Sequence, residues 1–159
     1  MVILKIILII VLSSIFYQDL KERQVYWFLF PLFAVCGAIL FYSNTLPKLF
    51  YVSIGMNFIF ISIMLSIVFL YSKLKLKSKF NEAFGLGDVL LFLGLIFSFS
   101  TISFLIIFVF SLIFSLVTHF IVKQYSKLQS VPLAGYISLF FALAYISHWT
   151  GITTSLYAL

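Results

Sequence analysis

Long apolar runs alternate with short polar clusters along the whole chain, and this pattern predicts membrane-spanning helices. A helix that rises 1.5 Å per residue needs about 20 residues to cross the hydrocarbon core of a bilayer. The first half of the chain contains three such runs, which predict spans one to three: residues 1–17, 26–42 and 49–71.

The second half contains one long stretch, from residue 80 to residue 122, without any Lys or Arg. A single helix of that length would extend roughly 65 Å, about twice the hydrocarbon thickness. The stretch must therefore fold back. The hydroxyl-rich segment from Ser98 to Thr101 is the predicted turn, because such side chains hydrogen-bond their own backbone. This gives spans four and five, and residues 131–150 form the sixth.

The composition leads to the same class of protein. Of the 159 residues, 64% are hydrophobic and 9% are charged, whereas about a quarter are charged in ordinary soluble domains. So few charges cannot cover a soluble surface, which excludes soluble enzymes and soluble binding modules. We expect an all-α fold: a polytopic membrane helix bundle with about six transmembrane helices, forming one domain over residues 1–159.

The basic residues predict how this bundle is oriented. Loops that carry Lys and Arg stay in the cytoplasm, and most of the bases fall in three alternate loops: Lys21, Arg23, Lys73, Lys75, Lys77, Lys79, Lys123 and Lys127. Lys5 and Lys48 fall on the other face, which puts both termini on the non-cytoplasmic side of the cytoplasmic membrane. The net charge of +6 is thus assigned to topology and to contact with membrane lipids, and we expect no nucleic acid partner.

The sequence gives little support for a metal site or a disulfide bond. Cys36 is the lone cysteine, so one chain cannot form a disulfide or a Cys-based metal site. His119 and His148 fall near opposite ends of the predicted bundle and cannot share a metal. We expect no metal and no cofactor.

The candidate chemistry lies in two aspartates, Asp19 and Asp88. Carboxylates at the edge of hydrocarbon are costly, which makes them functional candidates. Asp19 closes the first apolar run and Asp88 opens the fourth, and the charge pattern puts both at the cytoplasmic boundary. Two carboxyl groups that share one proton can hydrolyse a peptide without a metal or a covalent nucleophile. The anionic member takes a proton from water, and the protonated member polarises the scissile carbonyl.

Two glycines precede the second aspartate, in the run Gly85-Leu86-Gly87-Asp88. A residue without a side chain can adopt a positive φ and lets another backbone approach closely. We therefore expect Gly85 and Gly87 to allow an extended peptide to reach the carboxylate of Asp88.

Three segments carry a resemblance to a known family: Asp19-Leu20-Lys21-Glu22-Arg23-Gln24-Val25, Gly85-Leu86-Gly87-Asp88-Val89 with Leu91 and Gly94, and Val131-Pro132-Leu133-Ala134. Together they resemble the type IV prepilin peptidases and the related archaeal preflagellin peptidases, which are Gly-x-Gly-Asp intramembrane aspartic proteases. The chain departs from that family at three positions. Tyr26 and Trp27 stand where Pro-Asn is common, and Leu90 stands where Lys is common. The Cys-rich insert of the longer members is absent, so the chain resembles a short, peptidase-only form.

The resemblance implies a membrane aspartic endopeptidase with Asp19 and Asp88 as its catalytic residues. Its substrates would be pilin-like precursors, prepilins or pseudopilins, in which a short basic leader precedes an apolar helix. Cleavage would occur at the cytoplasmic boundary of the membrane. Arg23 and Pro132 lie in the matched segments and are candidates for substrate binding.

Glu22 and Glu82 lie near the same boundary. They would attract a basic leader, or they would pair with neighbouring bases. Two other functions stay open. One is a small proton- or cation-coupled transporter, in which the carboxylates bind the ion and Gly85 and Gly87 break a helix. The other is a catalytically silent assembly partner of a secretion system.

Overall fold

The computed structural model describes residues 1–76, 85–123, 132–153 and 156–157, and this part of the chain is helical without any strand. It contains six α-helices in chain order: α1 Val2–Lys21, α2 Leu29–Ser43, α3 Pro47–Tyr71, α4 Leu86–Leu95, α5 Thr101–Lys123 and α6 Leu133–Trp149. A short π-helical segment, Ser72–Leu76, continues α3. The all-α prediction is therefore confirmed for the described residues.

Three of these helices, α1, α3 and α5, are long and apolar enough to cross a membrane, and the other three are shorter apolar helices. The long helices present large apolar side chains outward, such as Ile6 on α1, Phe58 on α3 and Phe110 on α5. A water-soluble surface would not expose apolar groups on this scale, whereas a bilayer solvates them. The chain is a membrane protein.

The observed helix ends correct two predicted boundaries. Helix α1 continues to Lys21 instead of ending near Tyr17, so Asp19 lies in its last turn and not after it. A helix can continue from apolar into polar residues, because its backbone hydrogen bonds form within the helix and its polar side chains are solvated by water. Helix α2 begins at Leu29, so Tyr26 precedes it in a non-helical connection. Helix α3 starts at Pro47, a residue suited to a first helical turn because it needs no amide partner.

The predicted turn between spans four and five is confirmed, since residues 96–100 separate α4 from α5. Ile96, Ser98, Phe99 and Ser100 are buried. Helix α4 has ten residues, about 15 Å, which is about half the hydrocarbon thickness. Non-helical backbone at membrane depth must find partners inside the protein. Asn57 of α3 supplies them, because its Nδ2 donates to the carbonyl oxygens of Ile96 (3.2 Å) and Phe99 (3.0 Å).

Close packing around α4 uses small residues. A Cβ on Gly94 would lie 2.9 Å from Cδ1 of Phe33 on α2, and a Cβ on Gly37 would collide with the hydroxyl of Ser98. Helices in lipid gain no hydrophobic free energy when they associate. Van der Waals contact between closely packed helices is therefore a main source of their attraction. These contacts hold the end of α4 and the segment after it against α2.

Helix α6 packs against α1, α4 and α5, and so connects the two ends of the bundle. At one end, the ammonium group of Lys5 on α1 lies 5.0 Å from the ring centroid of Trp149 on α6. At the other end lie Asp19, Asp88 and the start of α6. The beginning of α1 and the end of α6 thus share one end of the bundle. That this end faces away from the cytoplasm stays a prediction from the basic residues.

Candidate active site

The first turn of α6 brings Asp19 and Asp88 together. The backbone N–H of Ala134 donates to Oδ1 of Asp88 at 2.7 Å, and the N–H of Gly135 donates to Oδ2 of Asp19 at 2.6 Å. Both carboxylates are partly buried. Residues distant in the chain therefore meet on consecutive amides of a third helix.

The hydrogen bonds set a limit on the separation of the two carboxylates. Adjacent backbone nitrogens in a helix lie about 3 Å apart, so the two accepting oxygens are at most about 8 Å apart along the path through the donors. The two carboxylates are also close enough for the charge of Asp19 to act on Asp88. A substrate carbonyl or a water molecule placed between them would be within reach of both.

The position at the start of α6 explains why two acids are tolerated here. The first amides of a helix have no partner within the helix, and the helix dipole favours negative charge at this end. Pro132 stands at the N-cap, is buried and has no N–H of its own. The amides of Ala134 and Gly135 stand in the first turn, where the helix offers them no acceptor, and they donate to the carboxylates instead. Pro132 acts on the site by starting this helix.

Arg23 supplies a positive charge close to the two acids. Its charge interacts with both carboxylates, and it is partly buried. Its φ of 56° lies in the left-handed region, which is unfavourable for any residue with a Cβ. Backbone strain of this kind costs about 1–3 kcal/mol and concentrates at functional sites. The strained backbone turns the chain just after α1 and keeps the guanidinium group beside the acids.

Gly85 and Gly87 do not use the positive φ that glycine permits. Gly85 is the N-cap of α4 with a φ of −66°, and Gly87 is a residue of that helix; among the described glycines only Gly151 has a positive φ. The chain enters the helix directly at these residues, and the approach of an extended peptide to Asp88 over the two glycines stays a prediction. Their lack of a side chain still matters. A Cβ on Gly85 would lie 3.1 Å from Oδ2 of Asp88, and one on Gly87 would lie 3.5 Å from Phe30.

The other predicted residues are less central. Glu22 is the C-cap residue of α1 and is exposed. Glu82 lies outside the described residues. Tyr26, Trp27 and Leu90, which differ from the motifs of the resembling family, have exposed side chains.

Sequence reasoning missed two residues of this site. Gly135 donates to Asp19, and a Cβ at this position would lie 3.1 Å from Oδ2 and 3.2 Å from Cβ of Asp19. Tyr136 is buried, and its phenol interacts electrostatically with Asp19 and Arg23. A usable signal was present in the sequence, because small residues follow Pro132 where a predicted helix starts at the same boundary as the two acids.

Within the described residues, no group of three or more His, Cys, Asp or Glu side chains is arranged to hold a metal ion. His148 lies at the far end of α6, away from the aspartates. The groups gathered at this site are two carboxylates, one guanidinium, one phenol and two backbone amides. Such a set can activate a water molecule by acid–base chemistry.

Comparison of the chain with protein-family models, with curated proteins and with solved structures finds no match. The resemblance to prepilin peptidases therefore stays a prediction from the short motifs.

Proposed function

We propose that this chain is a membrane aspartic endopeptidase in which Asp19 and Asp88 act as one catalytic pair. The observation that carries the proposal is the hydrogen bonding of both carboxylates to the consecutive amides of Ala134 and Gly135. A structural role needs only one carboxylate at a helix start. Two like charges in one place are costly unless they share a proton, and sharing a proton is what acid–base hydrolysis uses.

The proposed reaction begins with a water molecule between the two carboxyl groups. The ionised carboxylate takes a proton from water as the oxygen attacks the scissile carbonyl, and the protonated carboxyl donates a hydrogen bond to the carbonyl oxygen. The tetrahedral intermediate collapses when a proton passes from the pair to the leaving amine. The two products are a free carboxylate and a free amine. The amides of α6 and Arg23 keep the pair in place and offset its negative charge.

The proposed substrate class is a pilin-like precursor, prepilin or pseudopilin, with a short basic leader before an apolar helix. The site lies at the end of a bundle whose long helices suit a bilayer, so the apolar helix of a substrate would lie in the membrane and its leader outside. Glu22 is exposed at this same end and would favour a basic leader. The membrane is the cytoplasmic one, and the site faces the cytoplasm, where the basic loops are expected.

Co-expression with such a precursor tests the proposal. The size of the precursor is followed by gel electrophoresis with the wild-type chain and with its Asp19→Asn and Asp88→Asn variants. We expect processing by the wild type and none by either variant. Lys48→Gln, which removes a charge from α3, is the control and should process normally. Processing that survives either Asp→Asn change contradicts the proposal.

One observation favours a second candidate, a small proton- or cation-coupled transporter. Residues 96–100 form a buried non-helical segment after a short helix, and transporters place such broken helices at their ion sites. The aspartates, however, lie at the end of the bundle and not beside this segment. Proteoliposomes decide between the two. Proton or cation uptake that depends on Asp19 and Asp88, without precursor cleavage, would favour the transporter. A chain that does neither would fit the silent assembly partner.

A further inference from the structure

A second polar cavity lies at the end of the bundle opposite to the aspartates. It has a volume of about 230 Å³ and opens between the start of α1, the end of α2 and the end of α6. Its polar lining consists of Lys5, Ser43, Asn44, His148, Trp149 and Tyr157. The peptidase proposal gives this cavity no role.

The cavity has a positive charge without a matching carboxylate. Lys5 is partly buried, and its ammonium group lies over the ring of Trp149. No Asp or Glu is among the residues that line the cavity. Asp19 and Glu22 lie at the opposite end of α1 from Lys5, about 20 Å away along the helix. In the described part of the chain, an anion from outside would be the natural partner of this lysine.

Tyr157 contributes its ring to the cavity lining. Its hydroxyl is buried and has no hydrogen-bond partner among the described residues. Burial raises the pKa of Tyr157, so the hydroxyl keeps its proton. The ring stacks on Phe41 at 5.9 Å between centroids and gives the cavity a fixed aromatic wall.

His148 is held in a defined orientation beside the ring of Tyr157. Its Nδ1 lies 3.0 Å from the carbonyl oxygen of Thr153, and its ring contacts the Tyr157 ring edge to face. A carbonyl oxygen can only accept, so Nδ1 carries the proton and Nε2 stays available to a ligand hydroxyl. The fixed histidine, the lysine and the tyrosine belong to three separate segments of the chain, which together form a built cavity.

We propose that this cavity binds a phosphate group, either that of a phospholipid headgroup or free inorganic phosphate. Phosphate offers several acceptor oxygens and a negative charge, which match the charge and the three N–H donors of the Lys5 ammonium group. The cavity has the volume of about eight molecules of liquid water. This is enough for a phosphate group and the atoms next to it. Trp149 and Tyr157 are of the aromatic type that lies at the level of lipid headgroups.

Fluorescence of Trp149 tests this proposal directly. The chain has two tryptophans, so a Trp27→Phe variant leaves Trp149 as the sole reporter. The protein, held in a phosphate-free maltoside detergent, is titrated with inorganic phosphate, with short-chain phosphatidylglycerol and with short-chain diacylglycerol. We expect a saturable change with at least one of the two phosphate compounds and none with diacylglycerol. Binding of phosphatidylglycerol alone identifies a lipid site, and equal binding of inorganic phosphate identifies a free-anion site.

Three lysine variants in the same background test the role of Lys5 and include a matched control. Lys5→Gln should weaken binding at least about tenfold, because it removes the charge that meets the phosphate, and Lys5→Arg should retain most of it. Lys48→Gln removes a base that does not line the cavity, so it should leave the affinity unchanged. Equal affinities for Lys5→Gln and Lys48→Gln, a response to diacylglycerol as strong as that to phosphatidylglycerol, or no saturable response would overturn the proposal.

Discussion

The carboxylates of Asp19 and Asp88 accept hydrogen bonds from two consecutive amides at the start of α6. The first aspartate lies in the last turn of α1 and the second in the first turn of α4. Neither helix needs the other to form, so their meeting is a property of the tertiary fold. The start of α6 fixes both carboxylates at once, which makes this turn the part of the molecule on which the proposed activity depends.

Cross-linking measures whether the two positions are adjacent in the membrane. In a Cys36→Ala background, Asp19→Cys and Asp88→Cys are introduced together and treated with a bifunctional thiol reagent that spans about 8 Å, the upper limit set by the shared helix turn. We expect an intramolecular cross-link, detected by mass spectrometry. Lys5→Cys with Asp88→Cys is the control pair, because Lys5 lies at the other end of α1, and a link of equal yield there would contradict the fold.

Replacement of Gly135 tests the contact between α6 and Asp19. The added Cβ of Gly135→Ala would lie 3.1–3.2 Å from atoms of Asp19 and 3.4 Å from the carbonyl oxygen of Phe16, so the carboxylate must shift by a few tenths of an ångström. Because small misplacements of a catalytic group are expensive, we expect kcat for precursor cleavage to fall about tenfold.

Gly55→Ala is the matched control for that change. A Cβ on Gly55 would meet nothing within 4 Å, and Ala favours a helix by up to about 1 kcal/mol over Gly. Cleavage should therefore stay at the wild-type level, with equal or greater stability. Equal losses in the two alanine variants would mean that the contact with Asp19 has no special importance.

Variants of Arg23 separate the effect of its strained backbone on stability from the effect of its charge on cleavage. Arg23→Ala and Arg23→Gly both remove the guanidinium group, but only glycine adopts the observed φ of 56° without a steric penalty. We expect the glycine variant to be more stable than the alanine variant by about 1 kcal/mol, measured by thermal unfolding in detergent. Cleavage should fall in both and be retained best in Arg23→Lys. A more stable alanine variant would show that the backbone is not strained here.

Asn57 should contribute strongly to stability. Asn57→Leu keeps the size of the side chain but leaves the carbonyl oxygens of Ile96 and Phe99 without their shared donor, in a buried place. We expect a loss of roughly 1–3 kcal/mol in the free energy of unfolding. Ser66→Ala, which removes a hydroxyl bonded within α3 on an exposed face, should change it by less than about 0.5 kcal/mol. Similar values for the two variants would exclude a specific role of Asn57.

Much of the fold could be predicted from the chain, because the solvent preference of each run is a local property. The apolar lengths and the hydroxyl-rich turn before Thr101 were enough to place six helices. The exact helix ends were not predictable in the same way. Asp19 falls inside α1 because its helix continues into polar residues, and hydropathy carries no information about where such an extension stops.

The candidate site was predictable only in part. Asp19 and Asp88 stand out because carboxylates are rare in such a chain, and the basic loops put them at one end. Gly135 and the left-handed backbone of Arg23 are invisible to such reasoning. Their roles arise from the way α6 packs against α1, which depends on side chains far apart in sequence.

A double-mutant comparison tests the central claim most directly, since that claim is that Asp19 and Asp88 work as one unit. Purified protein in lipid bilayers is assayed for cleavage of a precursor with a basic leader, using Asp19→Asn, Asp88→Asn and the double variant. All three proteins should fold, as judged by equal thermal stability with the wild type within a few degrees. We predict that each single change lowers kcat/KM by at least about a thousandfold and that the double change costs no more than either. Substantial activity in one single variant, or losses that multiply in the double variant, would contradict the catalytic pair.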